Sequence, residues 1–295
     1  MTSLQIRLLA AFGADPTGGN IGGVVFEDVE LTKSQRQQIA SDLAVSTTAF
    51  IREYDNSSFD VKFHSSRSEM DMCGHATVAA FAGLKIDGRI EAGSFSQRTA
   101  SGELQVEVTD DNQIFMLQPQ PKFWDLDLEK PQVAALLNLP EKSLVQIASA
   151  GTALRHLFVE LESIAALTEI IPDDQGLRRF CVDNRIDTIG VWFPDAFKSG
   201  EARYRLRDLC HGVGDTEEAA SGTTNGALAS YLWHSGRARA DETGRLLAVA
   251  RQGYEMGRPS VVETQLRISE NEIDAVRVGG SASLRLQGSY FLDRS

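Results

Sequence analysis

Hydrophobic and polar positions along this 295-residue chain change their period several times, and the changes come round twice. The opening residues, MTSLQIRLLAAF, alternate as a strand does and run into the turn-forming GADPTGG. From Leu31, LTKSQRQQIASDLAVSTTAFI reads as a helix leading into a β-rich stretch, and FDVKFHS from Phe59 alternates again as a strand. An Ala-rich helical segment, CGHATVAAFAGL, begins at Cys73. The second half repeats the order with LTEIIPDDQGLRRFCVDNRIDTIGVWF from Leu167, the alternating ARYRLRD from Ala202 and SGTTNGALASYL from Ser221. The two Gly-containing segments start 148 residues apart (221 minus 73), about half the chain. The pattern predicts two α+β domains of one plan, residues 1–118 and 119–280. The strand-rich end, SVVETQLRI and AVRVGGSASLRLQGSYF, is expected to return to the first domain from about residue 280.

Composition narrows the classes of function. A formal net charge of -12 opposes attraction to phosphate backbones or anionic lipid, which argues against nucleic-acid and membrane partners. Three cysteines, Cys73, Cys181 and Cys210, form neither a disulfide framework nor a metal-ligand spacing, so a reducing, cytoplasmic setting and no metal are expected. No apolar run approaches the roughly 20 residues that span a bilayer, and the N-terminus lacks a basic segment followed by an apolar one. The expectation is a soluble, unprocessed chain.

The candidate chemistry lies where the repeat places glycine at a helix start. Unpaired N–H groups and the positive end of the helix dipole bind carboxylates and favour thiolates, and glycine lets a ligand approach the backbone. Cys73-Gly74-His75 and Ser221-Gly222-Thr223 occupy matching places and suit a small anionic substrate. Cys73 is a candidate base or nucleophile, because a helix start draws a thiol pKa from about 8.5 toward neutrality. His75 is a candidate proton donor or carboxylate ligand. Glu217 and Glu218 stand just ahead of the second helix, where adjacent carboxylates raise each other's pKa into the range useful for general acid–base work. Glu69 and Asp71 read as a solvated turn.

Several stretches together resemble the PhzF-like, or phenazine-biosynthesis-like, family, whose fold is that of diaminopimelate epimerase and proline racemase. They are GGNIGGVVF (18–26), VSTTAF (45–50), MCGHATVA (72–79), EEAASGTTNGAL (217–228), QGYEMGRPS (252–260) and VRVGGSA (276–282). The resemblance implies two pseudo-symmetric hotdog-like α+β domains, each a sheet wrapped around a central helix, with the active site in the cleft between them. It also implies a homodimer without metal or organic cofactor. In the phenazine enzyme a Glu, a His, an Asp and a Ser carry the isomerisation. Here the His falls on His75, the Asp on Glu218, the Ser on Thr223 and the Glu on Thr47, and threonine cannot take a proton as a carboxylate does. The racemase branch carries a Cys at each helix start; Cys73 matches the first and Ser221 falls at the second.

These residues point to a cofactor-independent isomerase moving a proton on a small carboxylate. Cys73, His75 and Glu218 are then catalytic, and Asn20, Thr47, Gly74, Ser221, Gly222 and Thr223 line the substrate. Two alternatives stay open: an amino-acid racemase or epimerase using Cys73, and a carboxylate-binding homologue that lost its base at Thr47.

Overall fold

The structure, a computed structural model, describes residues 2–292 and divides into two compact units. One comprises the chain up to Leu117 together with the residues from Gly279 on; the other is Gln118–Val278. The first contains β1 (Thr2–Ala11), β2 (Asn20–Phe26), α1 (Lys33–Leu43), β3 (Thr47–Asp55), β4 (Ser58–His64), β5 (Glu69–Met70), α2 (Gly74–Ile86), β6 (Gly93–Thr99), β7 (Gly102–Val108) and β8 (Ile114–Leu117). The second contains β9 (Lys122–Phe123), α3 (Lys130–Leu137), β10 (Leu144–Gly151), β11 (Arg155–Leu161), α4 (Ile164–Glu169), α5 (Asp174–Asn184), β12 (Thr188–Lys198), β13 (Glu201–Leu209) and β14 (Glu217–Glu218). It continues through α6 (Gly222–His234), β15 (Arg245–Gln252), β16 (Ser260–Ser269) and most of β17 (Glu272–Gly280); β18 (Ala282–Leu292) belongs to the first unit. The fold is mixed α+β.

Strand pairing repeats between the units. In the first, β2 runs parallel to β3, β3 antiparallel to β4, and β4 parallel to β6. In the second, β11 runs parallel to β12, β12 antiparallel to β13, and β13 parallel to β15. Parallel neighbours need a crossover, and helices supply it: α1 and α2 in one unit, α4 with α5 and then α6 in the other. β1 lies between β2 and β18, both antiparallel to it, with Ile6 opposite Val25 on one side and Gly288 on the other.

Local chemistry explains where the helices begin and end. Thr32 and Gln35 form a reciprocal capping box at the start of α1, and Asp173 caps α5 through the amide of Gly176. Both helices are 11 residues long and both stop at a left-handed residue, Ala44 or Arg185. The helix read from Leu167 is displaced, however: Leu167 and Thr168 lie inside the short α4, capped by Ser163, and the counterpart of α1 begins at Asp174. An inserted helical turn shifted the register of that resemblance.

The segments beginning at Cys73 and Ser221 do form matching helices. α2 and α6 are 13 residues each, and their preceding residues are extended, with φ −148°, ψ 118° at Cys73 and φ −129°, ψ 118° at Ser221. α2 is buried without interruption from His75 to Leu84, packed against β1, β2, β3, β8 and β18. α6 is likewise buried from Thr224 to Ser230, against β10, β11, β12 and β16. A helix covered on all sides cannot be amphipathic, which is why both carry Ala and Gly where surface helices carry charge. Small residues also set the approach distance: a Cβ at Gly22 would stand 2.9 Å from that of Ala79 and 3.3 Å from Cα of Ala76.

Candidate active site

At the start of α2 the chain assembles a compact polar group inside the first unit. Cys73 is 7% exposed, and its Sγ lies 3.5 Å from Nδ1 of His75. The Asn20 side-chain amide stands 3.2 Å from the same nitrogen, and Ser46 Oγ lies 3.0 Å from His75 Nε2. Ser46 donates its own proton to the carbonyl of Ile21 at 3.1 Å, which leaves its lone pair for a proton on Nε2. With that proton on Nε2, Nδ1 is the acceptor nitrogen, and the Asn20 amide and the thiol both approach it, a tautomer assigned from the network. Asn20, Ser46 and Thr47 are brought here by the start of β2 and the entry to β3, which pair in parallel with Gly22 opposite Thr47.

Burial pushes the Cys73 thiol pKa up, and three hydrogen bonds, from the Thr47 hydroxyl and the amides of Ala76 and His75, only partly offset it. The drop in thiol pKa expected from a helix start is therefore outweighed by desolvation. In this state the group is a neutral thiol beside an imidazole. Thr47, 2% exposed, also lies 3.6 Å from Met70 Sδ. Gly74 opens the helix; a Cβ there would meet the Met116 methyl at 3.2 Å.

Hydroxyls take these positions at the start of α6. Ser221 Oγ accepts from the Thr224 amide and lies 3.3 Å from Thr223 Oγ1 and 2.9 Å from Thr224 Oγ1. Thr224 Oγ1 donates to Asp208 Oδ2 at 2.8 Å. Asp208 is fully buried; desolvation raises its pKa to about 6, with hydrogen bonds from Thr224, Thr188, Ser221 and Cys210 opposing the rise. His156 joins the cluster, its Nδ1 2.7 Å from Thr188 Oγ1, and burial depresses its pKa to about 3, so it is neutral. Behind the helix start, Asn225 donates to the Ser221 carbonyl at 2.8 Å and to Gln252 at 2.9 Å, as Thr77 donates to the Cys73 carbonyl at 2.9 Å and to Gln97 at 3.1 Å.

Of the adjacent Glu217 and Glu218, the first has a cationic partner. Arg207 grips Glu217 through Nε at 3.0 Å and Nη2 at 2.8 Å, and also donates to the carbonyls of Leu167 and Ile170. Glu218 is half-buried on β14, opposite Asp208 in register, and its carbonyl accepts from Gln252. Asp208 is a carboxyl of this unit whose pKa burial raises. Its place was visible in ARYRLRD, since Ala202, Tyr204, Leu206 and Asp208 share the buried phase of the strand. Ser46, Thr224 and His156 gave no comparable signal. Glu69, read as part of a solvated turn, sits on β5 and pairs with Lys33 at 2.6 Å. A cavity of 740 Å³ in the second unit lies at the other end of α6, lined by Phe123, Trp233 and His234, away from these groups. Chemistry rather than volume makes each helix start a candidate site.

Fold and site define a class of protein: two α+β units of one plan, each presenting the start of a buried helix, one with thiol and imidazole, the other with hydroxyls over a buried acid. The phenazine biosynthesis-like (PhzC-PhzF) family model matches residues 9–288, and the chain belongs to that family. It is 27% identical over 291 residues to an uncharacterized isomerase of Deinococcus radiodurans, covering 96% of this chain and 93% of that one. It is 25% identical over 292 residues to the trans-2,3-dihydro-3-hydroxyanthranilate isomerase of Pseudomonas aeruginosa, covering 97% and 98%. The crystal structure of a PhzF-family phenazine biosynthesis protein from Bacillus anthracis shares the fold, with a TM-score of 0.87 at 20% identity over 99% of this chain and all of that one. Among the described residues no helix is long and apolar enough to cross a membrane.

Proposed function

We propose that this protein is an isomerase that moves a proton on a small carboxylate substrate without a cofactor, with Cys73 and His75 as its proton-handling pair. The observation that carries this reading is the thiol 3.5 Å from Nδ1 of the His75 imidazole at the start of a buried helix. In the step we infer, His75 Nδ1 takes the Cys73 proton, and the resulting thiolate takes one from a carbon next to the carboxylate. The electron pair left behind passes into an enolate, which helix-start N–H groups stabilise. Return of a proton to a different carbon completes an isomerisation, and the proton held on His75 then passes to the acid that gave up its own, which restores thiol, imidazole and acid together. Glu218 is assigned to that return, and Asn20 to holding the imidazole. Gly74, Gly222 and Thr223 leave room for the substrate carboxylate beside the helix starts, and a homodimer is the working form.

Two relatives named as isomerases support the reaction class. Thr47 separates this chain from a reaction that needs a carboxylate there; its hydroxyl instead supports Cys73. A racemase or epimerase is the second reading, favoured by one observation: Ser221, at the place matching Cys73, is hydrogen-bonded toward a buried acid.

The test is a panel of small amino, imino and hydroxy acids incubated in heavy water with wild type, Cys73→Ala, His75→Gln and Glu218→Gln, followed by NMR and mass spectrometry. Solvent deuterium at a carbon-bound position, lost in Cys73→Ala, is the expected result. Deuterium at one carbon with a relocated double bond distinguishes isomerisation from racemisation, which labels both enantiomers. Carboxylate binding without exchange in any variant would sink the enzymatic reading.

A further inference from the structure

The polar cluster beneath Ser221 is not something the fold requires. Asp208 stands opposite Glu218 on its neighbouring strand as Phe63 stands opposite Met70 in the first unit, and both Asp208 and Phe63 are fully buried. Thr224 lies 148 residues after Ala76, the same spacing that relates the two helix starts. One architecture therefore packs equally well with an apolar pair, Phe63 and Ala76, where the second unit holds a carboxyl and a hydroxyl. Burying a carboxyl costs stability unless something opposes it, and among the described residues no cation forms an ion pair with Asp208. Arg207, next in the chain, is spent on Glu217 and two carbonyls. Asp208 Oδ1 has no hydrogen-bond partner among the described residues.

We propose that Asp208 acts through Thr224 as the positioning residue for Ser221, deciding whether the serine hydroxyl offers a lone pair or a proton to a carboxylate at the start of α6. The proposal rests on the carboxylate-substrate reading above. The inventory of protons permits the coupling, because each hydroxyl has one to give. With Asp208 ionised, Thr224 donates to Oδ2 over 2.8 Å, so over the 2.9 Å to Ser221 it can only accept, and in the proposed arrangement the Ser221 proton points inward to it rather than to Thr223 Oγ1 at 3.3 Å. With Asp208 protonated, the carboxyl donates to Thr224, Thr224 turns its proton to Ser221, and the Ser221 proton is free to point outward. Only hydroxyl rotations and one proton on Asp208 are involved. A substrate carboxylate needs the outward proton, so its binding takes up a proton at Asp208.

The titratable groups around Asp208 are Cys210 at the end of its own strand, His156 from β11 and Glu218 on β14; α6 and β12 bring Thr224, Ser221 and Thr188. Burial holds the Asp208 titration at about 6, so both arrangements are within reach of neutral pH.

The experiment has two readouts on the full chain. First, the carboxyl carbon of Asp208 is followed by NMR across pH in wild type, Ser221→Ala, Thr224→Val and Thr224→Ser. The midpoint should rise in the first two variants, which weaken donation to the carboxylate, and return in Thr224→Ser; a midpoint unmoved by Ser221→Ala and Thr224→Val overturns the relay. Second, acetate is titrated as the carboxylate probe while the Gly222 and Thr223 amides are observed. Wild-type affinity should fall about tenfold from pH 5 to pH 7 as the protonated fraction falls. Asp208→Asn, whose amide donates permanently to Thr224, should bind at the low-pH affinity throughout. Equal pH dependence in wild type and Asp208→Asn overturns the proposal. A shifted midpoint with no acetate response in any variant keeps the relay but removes the carboxylate ligand, and the proposed function with it.

Discussion

Replacing Asp208 by Asn should change the way the second unit's stability depends on pH, and the structure sets both size and sign. In the unfolded chain Asp208 titrates near 3.8; in the folded chain burial moves it to about 6. Below pH 4 both states hold the proton. Between pH 4 and 6 the unfolded chain releases it and the folded chain does not, so stability falls as pH rises. The loss is complete above pH 6, at about 3 kcal/mol. His156 works in the opposite direction. Its folded pKa, about 3, lies below the unfolded 6.5, so its contribution is complete above pH 6.5 and is lost as pH falls, up to about 5 kcal/mol. Over pH 4 to 6 the two slopes nearly cancel in wild type. Asp208→Asn removes one of them, so its stability relative to wild type should gain about 3 kcal/mol between pH 4 and pH 7. Urea unfolding followed by tryptophan fluorescence reads the correct unit, since Trp124, Trp192 and Trp233 all lie within Gln118–Val278. His156→Gln should show the converse, a stability falling with pH over the same range. Wild type and Asp208→Asn differing by a constant at every pH would refute the reasoning, whatever the size of that constant.

Three further outcomes follow from the packing and the charges. Arg207→Ala leaves Glu217 and the carbonyls of Leu167 and Ile170 without their donor in a site where both charged side chains are largely buried, and should cost about 3 kcal/mol or more in urea unfolding. Gly22→Ala drives a methyl into Ala79 and the α2 backbone, and should lower stability by about 1–3 kcal/mol, seen as a reduced thermal midpoint. Because burial raises the Cys73 thiol pKa, iodoacetamide should label the Cys73 peptide at pH 7 at least tenfold more slowly than free cysteine by mass spectrometry; labelling as fast as free cysteine would mean that the helix-start amides outweigh desolvation after all.

Local pattern alone determined a good deal about this protein. Period-two alternation announced β1, β4 and β13, and the two Gly-led, Ala-rich runs announced helices at Cys73 and Ser221, because strand and helix periods and the need for small residues in a covered helix are written residue by residue. That Asn20 and His75 are neighbours, 55 residues apart, was not written there; parallel pairing of β2 with β3 beside the start of α2 brings them together with Ser46. Nor could adjacency in sequence reveal that Glu217 pairs with Arg207 and that burial raises the pKa of the Asp208 carboxyl. Which face of a strand is covered, and which charge lies across from it, follow from register and crossover. Burial then decides the protonation of Cys73, His156 and Asp208, because desolvation is a property of the packed interior and not of any single residue.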